Sequence, residues 1–108
     1  MNPLRGTLIG AGYFAQFHGE AWKRIATAEI VAVVDANADR AREFANRFAI
    51  PRVYSSIEAM FDAERPQFVD IVTRPESHLE LVTAAAKRGA AVLCQKPMAP
   101  TWYECVKM

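Results

Sequence analysis

The segment Thr7-Leu8-Ile9-Gly10-Ala11-Gly12-Tyr13-Phe14-Ala15 sets the architecture of this chain: a short apolar run enters a G-x-G-x-x-A turn, and a helix-like segment leaves it. Gly10 permits the tight strand-to-helix turn, and Gly12 lets the backbone approach a pyrophosphate. Ala15 lets the helix pack closely on the strand, while the first N–H groups of the helix and its dipole face an anion. Asp35 strengthens the reading. It ends the next apolar run, Ile30-Val31-Ala32-Val33-Val34, and lies 23 residues beyond Gly12. A carboxylate there accepts the ribose hydroxyls of an adenosine and repels a 2′-phosphate.

At 108 residues the chain has the size of one domain, long enough to bury something over ~60% of its unfolded surface. Its net charge of +1 and evenly scattered Lys and Arg give no footprint for nucleic acid, and no basic amphipathic helix suggests a membrane. Met1-Asn2-Pro3-Leu4-Arg5 lacks a signal-peptide core, and no apolar run approaches the ~20 residues of a membrane span. A cytoplasmic protein is expected. Cys94 and Cys105 lack metal-ligand spacing, so no metal is expected and both read as buried or incidental thiols.

Apolar strand-like runs alternate with helical periodicity along the whole chain. Strands are expected at Arg5–Ile9, Ile30–Val34, near Val53 and Tyr54, at Phe68–Val72 and at Ala90–Cys94. Between them, a helix over Tyr13–Ile25 would turn Phe14, Phe17, Ala21 and Trp22 inward. A second, capped by Asn37 and running to about Phe48, would bury Ala38, Ala41, Ala45 and Phe48. Ser55-Ser56-Ile57-Glu58 reads as a cap before a short helix to Asp62. Pro75 and Glu76 start a helix through Lys87 that Gly89 closes. One continuous β-α-β series gives an α/β, Rossmann-type doubly wound parallel sheet. The ligand crevice of such a sheet lies at the carboxyl ends of its strands. Gly10, Gly12, Tyr13 and Phe14 follow the first strand, and Asp35, Ala36 and Asn37 the second. Thr73-Arg74-Pro75 follows the fourth, and Gln95-Lys96-Pro97 the fifth.

With these motifs the chain resembles the glucose-fructose oxidoreductase, inositol dehydrogenase and rhizopine-catabolism family (Gfo/Idh/MocA). The resemblance rests on Gly10 to Ala15, on Val34-Asp35, on Asp70-Ile71-Val72-Thr73-Arg74-Pro75-Glu76-Ser77-His78 and on Val92-Leu93-Cys94-Gln95-Lys96-Pro97. It implies that residues 1–108 are the NAD(P)-binding domain of a longer two-domain enzyme. The substrate domain and the sixth strand of the sheet would lie outside them. The longer protein is expected to be a homo-oligomer that exchanges hydride between NAD(P) and a sugar, cyclitol or related polyol. The 108 residues alone are expected to turn nothing over.

The resemblance makes Lys96 the catalytic residue, a lysine reaching the substrate oxygen near the nicotinamide. Burial and a cationic neighbour lower a lysine's pKa toward neutrality, where it trades protons; read alone, the same residue is a solvated lysine at a helix entrance. The family's motif is Glu-Lys-Pro, and here Gln95 stands in place of the glutamate. A neutral amide keeps hydrogen-bonding capacity but removes a negative charge that would hold Lys96 protonated.

The resemblance gives His78 a structural place in the cofactor-side loop. Arg40, one turn beyond Asn37, either stacks on the adenine or is a solvated helix arginine. His18 reads as surface or packing, and Trp22 and Trp102 as core or interface aromatics. NAD is expected over NADP by about tenfold or more, because neither Ala36 nor Asn37 offsets the charge of Asp35 and only Arg40 could do so. Two rival readings share parts of this pattern. A non-catalytic dinucleotide-binding or sensing module would share all of it. An S-adenosylmethionine-dependent methyltransferase would share the glycine loop and the acid, but not Gln95-Lys96-Pro97.

Overall fold

The computed structural model describes residues 3–94. Five strands form one parallel sheet: β1 (Leu4–Ile9), β2 (Ala28–Val34), β3 (Arg52–Tyr54), β4 (Phe68–Ile71) and β5 (Ala91–Cys94). Their order is β3-β2-β1-β4-β5, so the direction of winding reverses at β1. The helices are α1 (Ala15–Lys23), α2 (Ala38–Phe48), α3 (Ile57–Glu64) and α4 (His78–Lys87). A single 3-10 turn, Pro75–Ser77, leads into α4. No helix among the described residues is long and apolar enough to cross a membrane.

Both faces of the sheet are buried along β1, β2 and β4, which is why these strands read as continuous apolar runs rather than alternations. Leu8 and Val33 point to one face, with Ala15, Phe44, Ala45 and Phe48 of α1 and α2. Their neighbours Ile9 and Val34 point to the other, with Met60, Phe61, Leu81 and Ala85 of α3 and α4. The helix ends obey local chemistry. Asn37 caps α2 by accepting the Arg40 amide (3.1 Å), and Ser56 caps α3 by accepting the Ala59 amide (3.3 Å). Beyond α4, Gly89 takes the left-handed conformation (φ 73°) that a helix exit favours.

The inward face of α1 differs from the expected one. The helix begins at Ala15, two residues after Tyr13, and it buries Ala15 and Gly19. Phe14 and Phe17 are 63% and 55% exposed, and Ala21 is exposed as well. The reason is close packing: a Cβ on Gly19 would stand 2.9 Å from the Phe48 ring, so α2 takes the space that large α1 side chains would need. Of the four residues expected inward, only Trp22 packs against the core, its ring 4.9 Å from that of Phe68. Ala38, expected inward on α2, is exposed in its first turn. The remaining boundaries shift by a residue or two, with α1 stopping at Lys23 and α3 continuing to Glu64.

Two buried polar features were not visible in the sequence. Glu64, at the end of α3, accepts from Arg5 of β1 (3.2 Å), from Arg52 of β3 (2.9 Å to Nη2, with Nε as a second donor) and from the Tyr54 hydroxyl (2.6 Å). It thereby ties α3 to both strands near the amino end of the sheet. The Arg52 guanidinium beside it outweighs the opposing effect of burial, and with Tyr54 and Arg5 it holds the carboxyl below the usual range. Asp70 of β4 accepts from Trp22 Nε1 (2.8 Å) and lies 2.7 Å from His18 Nδ1, which fastens α1 over β4. Thr7, fully buried in β1, has a hydroxyl with no partner among the described residues.

A depressed carboxyl pKa stabilises the fold above the unfolded value and ceases to do so as pH falls through the folded value. Stability is therefore expected to drop from about pH 4 downward, the ordinary glutamate range. Glu64→Gln should flatten that acid limb and cost about 1–3 kcal/mol at neutral pH, less than a fully buried pair because both arginines reach solvent. Thr7→Val should hold or raise stability, by up to about 1–2 kcal/mol, since it removes an unpaired buried hydroxyl at nearly constant volume. Urea melts of the three proteins across pH check both.

Candidate functional site

The loops at the carboxyl ends of β1, β2 and β4 are knitted to one another. Gly10 N–H donates to the Val34 carbonyl (2.7 Å), Asp35 N–H to the Tyr54 carbonyl (3.1 Å) and Val72 N–H to the Ile9 carbonyl (2.8 Å). Gly10 has φ 105°, and a Cβ on it would stand 2.4 Å from the Val72 carbonyl oxygen. The turn after β1 thus needs glycine for its conformation and for the approach of the next loop. Gly12 is different: a Cβ there would meet nothing within 4 Å. Space lies open over the turn.

Into that space the turn presents donors. Ala15 and Gln16 N–H groups close back on the Gly12 and Tyr13 carbonyls (3.1 and 3.3 Å). The N–H groups of Gly12, Tyr13 and Phe14 have no acceptor among the described residues. Three free amides ahead of a helix, beside a position where a side chain would have room, form a concavity suited to phosphate oxygens. The residues present therefore fit a dinucleotide's pyrophosphate. Around the turn the aromatic rings of Tyr13, Phe14 and Phe17 meet edge-on or tilted, with centroids 5.6–6.4 Å apart, and all three are exposed.

Asp35 closes one side of this concavity. Its side chain is 4% exposed, and each carboxylate oxygen holds two donors. Oδ2 accepts from the Ala11 amide (2.8 Å) and Arg40 Nε (3.1 Å); Oδ1 accepts from the Asn37 amide (2.8 Å) and Arg40 Nη2 (3.0 Å). Burial works to raise its pKa, but the Arg40 guanidinium and the amides of Asn37 and Ala11 outweigh it and hold the carboxyl below the usual range. Arg40, whose side chain is 54% exposed, is held on Asp35 by both of these bonds, a pairing that the sequence reading did not include. Ala36 and Asn37 are exposed beside it, Asn37 as the cap of α2.

The loop after β4 supplies the third wall. Thr73 Oγ1 and Ser77 Oγ lie 2.6 Å apart, and Ser77 Oγ donates to the Arg74 carbonyl (2.9 Å), which bends Thr73-Arg74 into the 3-10 turn that begins at Pro75. His78 is fully buried, and its Nε2 donates to the Thr73 carbonyl (3.0 Å). Cys94 ends β5 half-buried; burial, with Asp70 nearby, pushes its thiol up. Gln95, Lys96, Pro97, Trp102 and Cys105 lie outside the described residues. What the sequence reading missed are the partners: Asp70 was read only as the start of the Asp70-to-His78 motif, with no sign of Trp22 and His18 beside it, and Arg40's engagement with Asp35 depends on a helix phase that spacing alone does not give.

A family model described as "Oxidoreductase family, NAD-binding Rossmann fold" matches residues 4–108. The chain is 47% identical over 101 residues to a D-apiose dehydrogenase of Paraburkholderia graminis, covering 94% of this chain and 27% of that protein. It is 34% identical over 106 residues to inositol 2-dehydrogenase 3 of Saccharopolyspora erythraea, covering 97% and 31%. It also superposes on the crystal structure of an oxidoreductase from Agrobacterium radiobacter in complex with NAD+, L-tartaric acid and magnesium, with a TM-score of 0.93 and 36% identity over 97% of this chain and 31% of that one. The chain thus spans about a third or less of the length of these relatives.

The two glycines of the turn should separate under mutation. Gly10→Ala places a methyl group on a carbonyl in a conformation alanine resists, and should cost on the order of 3 kcal/mol. Gly12→Ala meets nothing and should melt within about 0.5 kcal/mol of the parent. Thermal denaturation followed by circular dichroism checks the pair.

Proposed function

Because the chain belongs to the Gfo/Idh/MocA oxidoreductase family, with its NAD-binding Rossmann fold, we propose that these residues form the nucleotide-binding domain of a longer dehydrogenase acting on a sugar, cyclitol or related polyol. The observation that carries the reading is the set of three unpaired amides at Gly12, Tyr13 and Phe14 beside the buried carboxylate of Asp35. The amides hold the pyrophosphate and Asp35 marks the adenosine ribose. Thr73 and Arg74, beside the buried His78, belong to the nicotinamide side of the site, to which the family resemblance also assigns Pro75, Gln95 and Pro97.

NAD, when bound, supplies the hydride acceptor for oxidation of a substrate carbinol. The chain's own contribution to the chemistry is Lys96, whose amine takes and returns the proton of the substrate oxygen. Gln95 beside it, being neutral, lets Lys96 lose its proton more readily than a glutamate would. Substrate contacts and the outer wall of the nicotinamide pocket come from parts of the longer protein beyond these residues. Without that wall the reacting carbon is not held at attack distance, and positioning contributes about 7–11 kcal/mol of barrier lowering. The 108-residue chain should therefore bind NAD and turn nothing over.

Titration of the chain with NAD+ and with S-adenosylmethionine tests the assignment, with binding of the first alone expected. Gly12→Ala should weaken NAD+ at least tenfold, because its methyl group occupies the space where phosphate oxygens sit. In the longer protein, oxidation of a polyol panel followed by nicotinamide absorbance should fall by about 10²–10⁴-fold in Lys96→Met. Full-rate turnover by that variant would remove Lys96 from the chemistry, and tight NAD binding with no turnover of any polyol would favour a sensing module.

A further inference from the structure

The segment that carries the three open amides has little of its own to hold it. From Gly12 to Phe17 only Ala15 is buried, while Tyr13, Phe14 and Phe17 are exposed. A single methyl group buries little apolar surface, so the hydrophobic effect does not fix this end of α1. The bond from Arg47 Nη1 to Gln16 Oε1 (2.7 Å) is exposed and competes with water. The next residue along the helix is His18.

His18 lies in the first turn of α1, and its Nδ1 donates to Asp70 Oδ2 (2.7 Å), an oxygen that also accepts from Trp22 Nε1 (2.8 Å). The Asp70 side chain is 3% exposed and that of His18 25%. A bond to a carboxylate is roughly twice as strong as one between neutral groups, and burial of this acceptor shields it from water. Asp70 pairs with Leu8 in the sheet. The chain therefore leaves the sheet after Ile9, makes the glycine turn, and is tied back by His18 to the strand position beside which it left. Asp35 holds the outgoing limb of this excursion through the Ala11 amide (2.8 Å), and His18 holds the returning one. Trp22, one turn further along, shares the acceptor and has its ring 4.9 Å from that of Phe68, so the second half of α1 keeps its place without His18.

We propose that His18 is a positioning residue for pyrophosphate binding: its bond to Asp70 fixes the returning limb of the turn, and with it the directions of the amides of Gly12, Tyr13 and Phe14. The imidazole touches no ligand in this role. It removes freedom from the donors before a ligand arrives, so that less ordering is left to binding. The inference rests on the reading of this turn as the pyrophosphate site.

The test separates the bond from the ring. His18→Phe keeps an aromatic ring and loses the donor, whereas His18→Asn loses the ring and keeps a nitrogen donor at the same position along the side chain. Adenosine, ADP and NAD+ are titrated into the 108-residue chain and into each variant, followed by amide NMR shifts, with thermal melts to confirm folding. His18→Phe should weaken ADP and NAD+ by about fivefold or more, while adenosine, which lacks the phosphates, stays within about twofold of the parent. His18→Asn should bring ADP back to within about twofold of the parent. Should His18→Phe fail to fold, the smaller donorless variant His18→Leu is judged by the same ADP-to-adenosine ratio. A ratio that the donorless variant leaves unchanged, or an Asn variant as weak as the donorless one, overturns the inference, while NAD+ binding by the parent spares the cofactor reading. Loss of adenosine in step with ADP also overturns it, since that is general loosening of the domain. Failure of the parent to bind ADP and NAD+ overturns both.

Discussion

The carboxylate of Asp35 holds the carboxyl edge of the sheet in one piece. Its two oxygens join the amide of Ala11, in the turn after β1, to the amide of Asn37, at the entrance of α2. Its own amide is anchored on Tyr54 of β3. Loops at the ends of parallel strands have no ladder of their own, so they take a fixed shape only when something outside the ladder pins them. Here a single buried anion does so from the strand next to the winding reversal. The free amides of Gly12, Tyr13 and Phe14 can remain unpaired because the turn that carries them is fixed from the side by Asp35.

The amino edge is fastened by a second buried acid with a different task. Glu64 has two arginines and a phenol around it. It gathers α3, β1 and β3 and leaves nothing over for a ligand. The contrast separates a structural carboxylate from one in a candidate site. Glu64 is engaged by Arg5, Arg52 and Tyr54, whereas beside Asp35 three amides have no acceptor among the described residues. Depressed pKa values mark both acids, so a titration shift by itself does not tell them apart.

The element order and the glycine turn after β1 were legible because the signals are local. Gly10 and Gly12 after an apolar run, an acid ending the next run, Asn37 and Ser56 as caps and Gly89 as an exit each act within a few residues. What was not legible depends on contacts between distant segments. The expected apolar face of α1 counted hydrophobic residues and chose Phe14 and Phe17. The packing instead selected small residues, because the Phe48 ring of α2 presses on Gly19. The Glu64 hub joins residues 5, 52, 54 and 64, and the Asp70 contacts join β4 to α1 across about fifty positions. No periodicity within one segment encodes such pairings.

The same distinction applies within the corner at Asp35. The two amide donors are main chain, so they pin the turn to the entrance of α2 through bonds separate from those of the Arg40 side chain. Ordering of the loop is therefore done by folding and is not charged again to ligand binding, which is how preorganisation strengthens affinity. The donor of this corner that reaches solvent is the long side chain of Arg40, carried on a capped helix, while the main-chain donors beneath it are fixed by the fold.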